Sequence, residues 1–574
     1  MLKRVVSGII LTILLTGMLT LTSNIQPVKA SGTIYIRADG SVEPSTANIT
    51  SVDNVTYTFT GNINDNIVVE RDNIIVDGAG YSMEGTASGI AIDLSYRFNV
   101  TIKRVLISNF AYGITLYYSS NNEIAENYMK DNLFAILLNH SSSNSVSGNN
   151  FSGESKCDVG IYNSLGNDIS GNKMTFTGVY SIYLSNSSNN KVSGNIMTYC
   201  RNGIYLDNSS NNNMIFGNNI TYGSGIYLQE SSNNTISGNT ITSWWGSSSY
   251  DGIKFVESSN NIISGNTITT KEWECVKLFQ SSNNIISGNN ITANDGVCIL
   301  LGSSSGNTIV RNNIKEGNYG ICSSFSNDNM IYHNNLIDIT WSQAIDTGNN
   351  TWDNGYPSGG NYWSDYNGTD FYSGPFQNQT GSDGIGDTPY VIGANNMDHY
   401  PLMEPWLPPD VAVSNATTSK TVVGRGYSLN VTVILANQGN KIENLNMIVY
   451  ANETIIAFQN FLLKSGNSII YTFTWNTSGF TYGNCTISIY VEPILGETDT
   501  TDNTYVDSVI LVTIPGDVDG DFDVDIYDVA KIADIYGSIK SDPGFNPNCD
   551  LDDDGKITIY DVVRCTSHYG ETYP

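Results

Sequence analysis

The chain has 574 residues, enough for three or four domains, with a formal net charge of -29 and a pI near 4.3. That balance excludes a nucleic-acid partner, because no basic surface exists to neutralise phosphates. Lys and Arg number 26 against 35 Tyr and 8 Trp, a surface suited to polar uncharged ligands such as sugars and equally to a plain extracellular β-protein.

Residues 1–30 read as a signal peptide. Lys3 and Arg4 precede an apolar run from Val5 to Leu21, and Val28-Lys29-Ala30 offers a small-residue cleavage site before Ser31. A secreted mature chain is expected. An uncleaved anchor is the alternative, since the run is just within spanning length. No other stretch is apolar for long enough to cross a membrane.

Residues 31–348 predict a right-handed parallel β-helix. From Asn66, NIVVERDNIIVDGAGYSM reads as opening coils that protect the end of a stack. From Asn99 a phrase recurs, plainest at Gly225 as GIYLQESSNNTISGNTIT and at Gly203 as GIYLDNSSNNNMIFGNNIT. The Asn closing each SGN-like element falls at 127, 149, 172, 195, 218, 239, 266, 289, 312 and 334, a spacing of 21 to 27 residues. So constant a period means stacked units. Alternation of apolar and polar residues over short runs, broken by Gly, Ser and Asn, makes those units strands. Leucine-rich repeats share the period, but their Leu-x-x-Leu-x-Leu phrase and helical half are missing. Asn suits the turns because it tolerates the left-handed conformation and can bond to the Asn one coil away.

Aligning coils on the Gly-Ile phrase places Tyr162, Tyr183, Tyr205, Tyr227, Lys254 and Lys277 in one outward column. Tyrosines ~4.8 Å apart form a strip on which sugar faces could stack, or are simply good strand residues. A second column holds Asp251, Glu274 and Asp295, beside Trp244, Trp245 and Trp273. Carboxylates one and two coils apart bracket the separations that glycosidases use. They equally suit Ca²⁺, mutual pKa perturbation, or a solvated acidic corner.

Residues 349–406 break the period with GGNYWSDYNGTD, GSDGIGDTPYVI and MDHYPLMEPW. These phrases resemble the terminal part of NosD-like β-helix proteins, and the resemblance covers about residues 31–406. It implies a segment closing the helix and, through the family's copper connection, a possible soft-ligand site at Met397, His399 and Met403. The repeat itself resembles carbohydrate-binding and sugar-hydrolysing β-helices. The polygalacturonase phrases and a pectate-lyase cluster are absent.

Residues 410–512 alternate in VTVILANQG, SIIYTFTW and CTISIYV, which predicts an immunoglobulin-like β-sandwich of some seven strands. PDVAVSNATTSKTVVGRGYSLNVTVILANQGN and ETDTTDNTYVDSVIL resemble a CARDB domain, which implies a spacer or adhesion unit. Residues 516–570 hold two twelve-residue acidic loops: Asp517, Asp519, Asp521, Asp523, Asp525 and Asp528, then Asp550, Asp552, Asp554, Lys556, Thr558 and Asp561. Oxygen donors at positions 1, 3, 5 and 12 are what Ca²⁺ requires, with the position-7 carbonyl. Loop-helix repeats 33 residues apart resemble a small α-helical type I dockerin. The resemblance implies two bound Ca²⁺ and a cohesin partner met by Ile526, Tyr527, Ile559 and Tyr560. Phe522 departs from it, standing where Gly normally makes the sharp turn, and so predicts weaker ion binding at the first loop.

Cys275, Cys298 and Cys322 recur at the coil period, as possible disulfide partners or buried thiols, and Cys549 and Cys565 flank the second loop. The chain thus reads as a secreted modular protein that binds or cleaves polysaccharide and docks on a cohesin scaffold. A non-catalytic surface adhesin and a NosD-like copper handler are the alternatives.

Overall fold

The computed structural model describes residues 32–244, 250–393, 396–439, 442–494, 497 and 499–573. The expected signal peptide and Trp245 lie outside these. Two compact units divide the chain, 1–405 and 406–574.

The first unit is a parallel β-solenoid whose three sheets contain 15, 13 and 14 strands. Each coil contributes one strand to each sheet, so strict alternation sends every second side chain into a closed interior. Ile182, Ile204, Ile226, Ile253, Val276 and Ile299 form one such interior column. All are buried, and each contributes ~1.5–3 kcal/mol relative to exposure.

Asparagine closes the corners by hydrogen bonding between coils. Asn195 Nδ2 donates to Asn218 Oδ1 at 2.9 Å and to the Ile169 carbonyl at 2.9 Å, while the Asn195 backbone N–H donates to the same Oδ1 at 3.0 Å. The chain of amides continues through Asn239, Asn266, Asn289 and Asn312 to Asn334. A second ladder runs parallel to it, from Asn122 through Asn144, Asn167 and Asn190 onward. Bonding between coils is as the sequence predicts, but the left-handed residue is not the ladder Asn. At the corner before Asn218 it is Gly217, at φ +63°, while before Asn190 and Asn213 of the second ladder it is a neighbouring asparagine, Asn189 at +58° and Asn212 at +56°, as the sequence predicts.

Beyond Asn334 the solenoid is closed by two indoles. Trp352 and Trp363 are fully buried, and Trp363 stacks on Tyr390 at 4.2 Å. Buried Asp398 ties this end together, accepting from the Asn361 backbone at 2.7 Å and from Trp363 Nε1 at 2.9 Å.

The second unit contains a sandwich of a three-stranded and a five-stranded sheet. Its eight strands run from Val411–Thr418 to Thr504–Thr513. Two short helices follow, Ile526–Asp534 and Ile559–Thr566, each starting from a capping box. No helix among the described residues is long and apolar enough to cross a membrane. All eight cysteines are free thiols. Cys275 and Cys298 are both buried in the solenoid, whereas Cys322 pairs in register with Leu300 and so sits in a different column.

Candidate functional site

Register places Tyr183, Tyr205, Tyr227, Lys254 and Lys277 in one outward column, as the repeat predicts. Tyr162 is not in it. Gly160 holds that position opposite Tyr183, and Tyr162 pairs with Ser185 two residues on. Alternation of period two hides a slip of two residues, since the same faces stay inward. The Tyr162 ring still comes within 5.4 Å of Tyr183 because it lies over Gly160, where a Cβ would approach it to 3.0 Å.

The tyrosine face is compact. Tyr183 and Tyr205 centroids are 5.7 Å apart, Tyr205 and Tyr227 4.7 Å. Tyr180, which the sequence pattern did not single out, adds a ring 4.9 Å from Tyr183. Tyr183 Oη donates to Asp207 at 2.7 Å and Tyr205 Oη to Gln229 at 3.0 Å. The strip ends where Lys254 Nζ lies 4.9 Å above the Tyr227 ring.

The acidic column is shorter than predicted. Pairing of Ile253 with Val276 sets Asp251 opposite Glu274, and the Gly252 N–H donates to the Glu274 carbonyl at 3.0 Å. Asp295 falls outside. It occupies an exposed turn, its N–H donating to Lys271 O, and Val297 takes the place next to Glu274. Counting back from the glycine failed there because Gly296 lies in the turn, and Cys298, opposite Cys275, holds the position that Gly252 holds two coils earlier.

Asp251 is 4% exposed. Lys254 Nζ is 3.7 Å from its carboxylate, and Lys277 Nζ is 3.2 Å from Glu274. Asp251 Oδ1 and Glu274 Oε2 are buried and receive no N–H or O–H donor, which disfavours a charge on both carboxyls at once. Burial, followed by the bond to Glu274, pushes Asp251 up to about 7. Burial also opposes ionisation of Glu274, but the Asp251 bond and the Lys277 charge outweigh it and hold its carboxyl below the ordinary value. The arrangement separates an acid from a base within one pair. Trp273 is half-buried beside Glu274 with its Nε1 unpartnered, and Trp244 is 49% exposed.

A second aromatic set escaped the sequence reading. Phe176, Tyr199 and Tyr222 stack at 5.0 and 4.7 Å with interplanar angles of 5° and 9°. The available signal was an aromatic immediately after each of the strands Lys173–Thr175, Ile196–Thr198 and Asn219–Thr221.

In the second unit the acidic loops repeat one geometry. Asp528 accepts from the Val518 N–H at 2.8 Å and the Asp525 N–H at 2.9 Å, while Asp561 accepts from Leu551 and Thr558 at 2.7 Å each. Gly555 makes its turn at φ +81° and Phe522, at the equivalent position, at φ +70°. The missing glycine therefore leaves the loop shape intact at the expense of backbone strain. Three aspartate groups bring ligand atoms within 4.8 Å of one another: Asp517, Asp519 and Asp521; Asp523, Asp525 and Asp528; and Asp550, Asp552 and Asp561. Oδ1 of Asp519, Asp523 and Asp552 is buried without a donor. These oxygens suit a hard cation, which the aspartates together with the Lys556 carbonyl, Thr558 and Asp554 could hold. The sandwich braces the second loop: buried Lys420 donates to the Asp550 carbonyl at 2.5 Å and pairs with Asp553 at 2.7 Å. Ile526, Tyr527, Ile559 and Tyr560 are between 52% and 68% exposed at the two helix starts.

The imidazoles have other occupations. His399 Nδ1 meets Asp353 at 2.9 Å, His333 Nε2 the Ser358 carbonyl at 2.8 Å, His568 Nδ1 Glu571 at 3.0 Å, and His140 stacks on Tyr118 at 4.8 Å.

The chain is similar to several solved structures. A CARDB domain from Pyrococcus furiosus, solved with di-metal ions, is 21% identical over 19% of this chain and 96% of its own, with a TM-score of 0.17. A mutant of the periplasmic alginate epimerase AlgG is 15% identical over 56% and 84%, with a TM-score of 0.34. A mutant DFA-IIIase from Arthrobacter chlorophenolicus A6, in complex with DFA-III, is 12% identical over 46% and 84%, with a TM-score of 0.36. No curated protein matches. The family described as periplasmic copper-binding protein (NosD) matches residues 20–219, 154–284 and 225–368. Among the described residues every group of three close His, Cys, Asp or Glu ligands is made of aspartates, hard donors rather than the soft or imidazole ones that copper favours, and His399 Nδ1 faces Asp353. Together these matches span residues 20–368, more than half of the chain, and by them the chain belongs to the NosD family.

Proposed function

We propose that the solenoid binds polysaccharide along its tyrosine face and hydrolyses it with Asp251 and Glu274. The observation that carries this reading is the placing of two carboxyls, Asp251 and Glu274, on neighbouring coils at the end of an aromatic strip, each met by its own lysine. Asp251, protonated near neutrality, gives its proton to the glycosidic oxygen as the C–O bond breaks. Glu274, ionised, assists attack at the sugar carbon, and water supplies the hydroxyl and returns the proton. Tyr162, Tyr183, Tyr205, Tyr227, Trp244 and Trp273 line the approach as stacking residues. The test is a panel of polysaccharides assayed for binding and reducing-end release. Release by the parent and its loss in Glu274→Gln supports the assignment; equal release by both removes it.

The same protein is proposed to be secreted and recruited to a scaffold. Two loops of identical geometry, each followed by an exposed Ile-Tyr pair, support calcium binding and cohesin docking in either of two orientations. Cohesin binding that chelation leaves intact would remove the calcium-dependent part of this reading. A mature N-terminus other than Ser31 in culture medium would correct the cleavage site.

A further inference from the structure

The corner ladder of Phe176, Tyr199 and Tyr222 borders a groove of about 450 Å³ that also takes in Glu154, Arg201 and Tyr250. Stacked rings cover one another's faces and show solvent their edges, so only the ends of the ladder can receive a flat ligand. Among the described residues no further ring stacks on Phe176 or on Tyr222. Pairing of Ser152 with Thr175 puts Gly153 on the coil before Phe176. Pairing of Thr221 with Thr242 puts Ser243 on the coil after Tyr222, and Ser243 Oγ turns away to donate to the Gly223 carbonyl at 2.7 Å. Tyr222 remains 42% exposed.

Charge is distributed unevenly along the groove. Arg201 is exposed and forms no ion pair among the described residues. Glu154 stands two coils earlier, roughly 10 Å away along the axis. At the other end Tyr250 directly precedes Asp251, where Lys254 and Lys277 face the acid pair. In a chain of net charge -29, Arg201 is thus a cation lining this groove that no carboxylate of the described residues neutralises, whereas both lysines are paired.

We infer that the groove is a subsite for an acidic saccharide, in which a sugar ring lies on the Tyr222 face and a carboxylate or sulfate on the sugar pairs with Arg201. The inference rests on the reading of the solenoid as a polysaccharide module and names the class of polymer it takes. Bidentate Arg recognition suits either anion, and the ring face suits the C–H side of a sugar.

The experiment is calorimetric titration of the full-length protein carrying Glu274→Gln, so that bound probe is not consumed. The probes are oligogalacturonate, a sulfated carrageenan oligosaccharide, and carboxyl-reduced oligogalacturonate as the neutral counterpart. At least one acidic probe is expected to bind tenfold or more tightly than the neutral one. Arg201→Gln abolishes that preference, Arg201→Lys keeps part of it, and Tyr222→Ala weakens acidic and neutral probes alike. Equal binding of acidic and neutral probes, no binding of any, or an unchanged preference in Arg201→Gln overturns the inference. Acidic-probe binding without product release from any polysaccharide by the unsubstituted protein leaves the subsite standing and removes the catalytic reading. Release that persists unchanged in Arg201→Gln and Tyr222→Ala does the reverse.

Discussion

Asp251 and Glu274 face each other on neighbouring coils, and each has a lysine three residues further along its own strand, Lys254 at 3.7 Å and Lys277 at 3.2 Å. Lys277 favours the charged form of both carboxyls. Replacing it by Met raises both proton affinities, so the alkaline limb of activity moves up, by about one pH unit. Lys277→Arg leaves the limb in place. A pH series of initial rates for the three proteins checks this, and coincident limbs contradict it.

Asp158 is a buried carboxyl of another kind. It is 1% exposed, accepts hydrogen bonds from the Ser155 and Thr177 hydroxyls, and is pushed up to about 7 by burial. The unfolded chain releases this proton near pH 4, whereas the fold retains it to about 7. Its contribution is therefore fully present below about pH 4 and is lost as pH rises toward 7. Asp158→Asn removes that dependence. The stability lost between pH 5 and 8 shrinks in the variant by on the order of a few kcal/mol, readable as a smaller drop in Tm than in the parent.

The asparagine ladder predicts a sharp difference between interior and surface amides. Asn218 accepts from the Asn195 backbone and side chain and donates to the Val192 carbonyl and Asn239. Asn218→Leu strands these buried groups and costs about 3 kcal/mol or more. Asn219→Ala, at an exposed strand position with ordinary backbone angles, stays within ~0.5 kcal/mol. Denaturant unfolding of both variants measures the contrast.

At the first acidic loop, Phe522 holds a left-handed backbone that costs about 1–2 kcal/mol for a residue with a side chain. Phe522→Gly relieves that strain, and ion affinity at this loop rises several-fold. Asp528→Ala removes a ligand and both backbone bonds of the capping arrangement; it abolishes binding there while leaving the second loop intact. Lanthanide luminescence titration distinguishes two sites from one.

The period of the repeat revealed the coil, the interior columns and the bonding of asparagines between coils, because each depends on spacing alone. Register within a coil was less legible. Tyr162 was assigned to the tyrosine column since a slip of two residues preserves which side chains face inward, and Asp295 joined the acidic column because Gly296 stands in for a phrase glycine whose place Cys298 holds. Phe176, Tyr199 and Tyr222 went unnoticed for a related reason: they occupy corners with positive φ, where strand alternation says nothing. Of the twelve-residue loops, the clustering of aspartates at the two helix starts was legible, because the spacing of the acidic residues repeats.

The pH profile of polysaccharide cleavage tests the division of labour between Asp251 and Glu274 most directly. The account predicts a bell whose alkaline limb lies near 7 and disappears with Asp251→Asn, together with a 10²–10⁴-fold loss of rate in Glu274→Gln. A rate that is flat through pH 7, or that survives both substitutions, contradicts it.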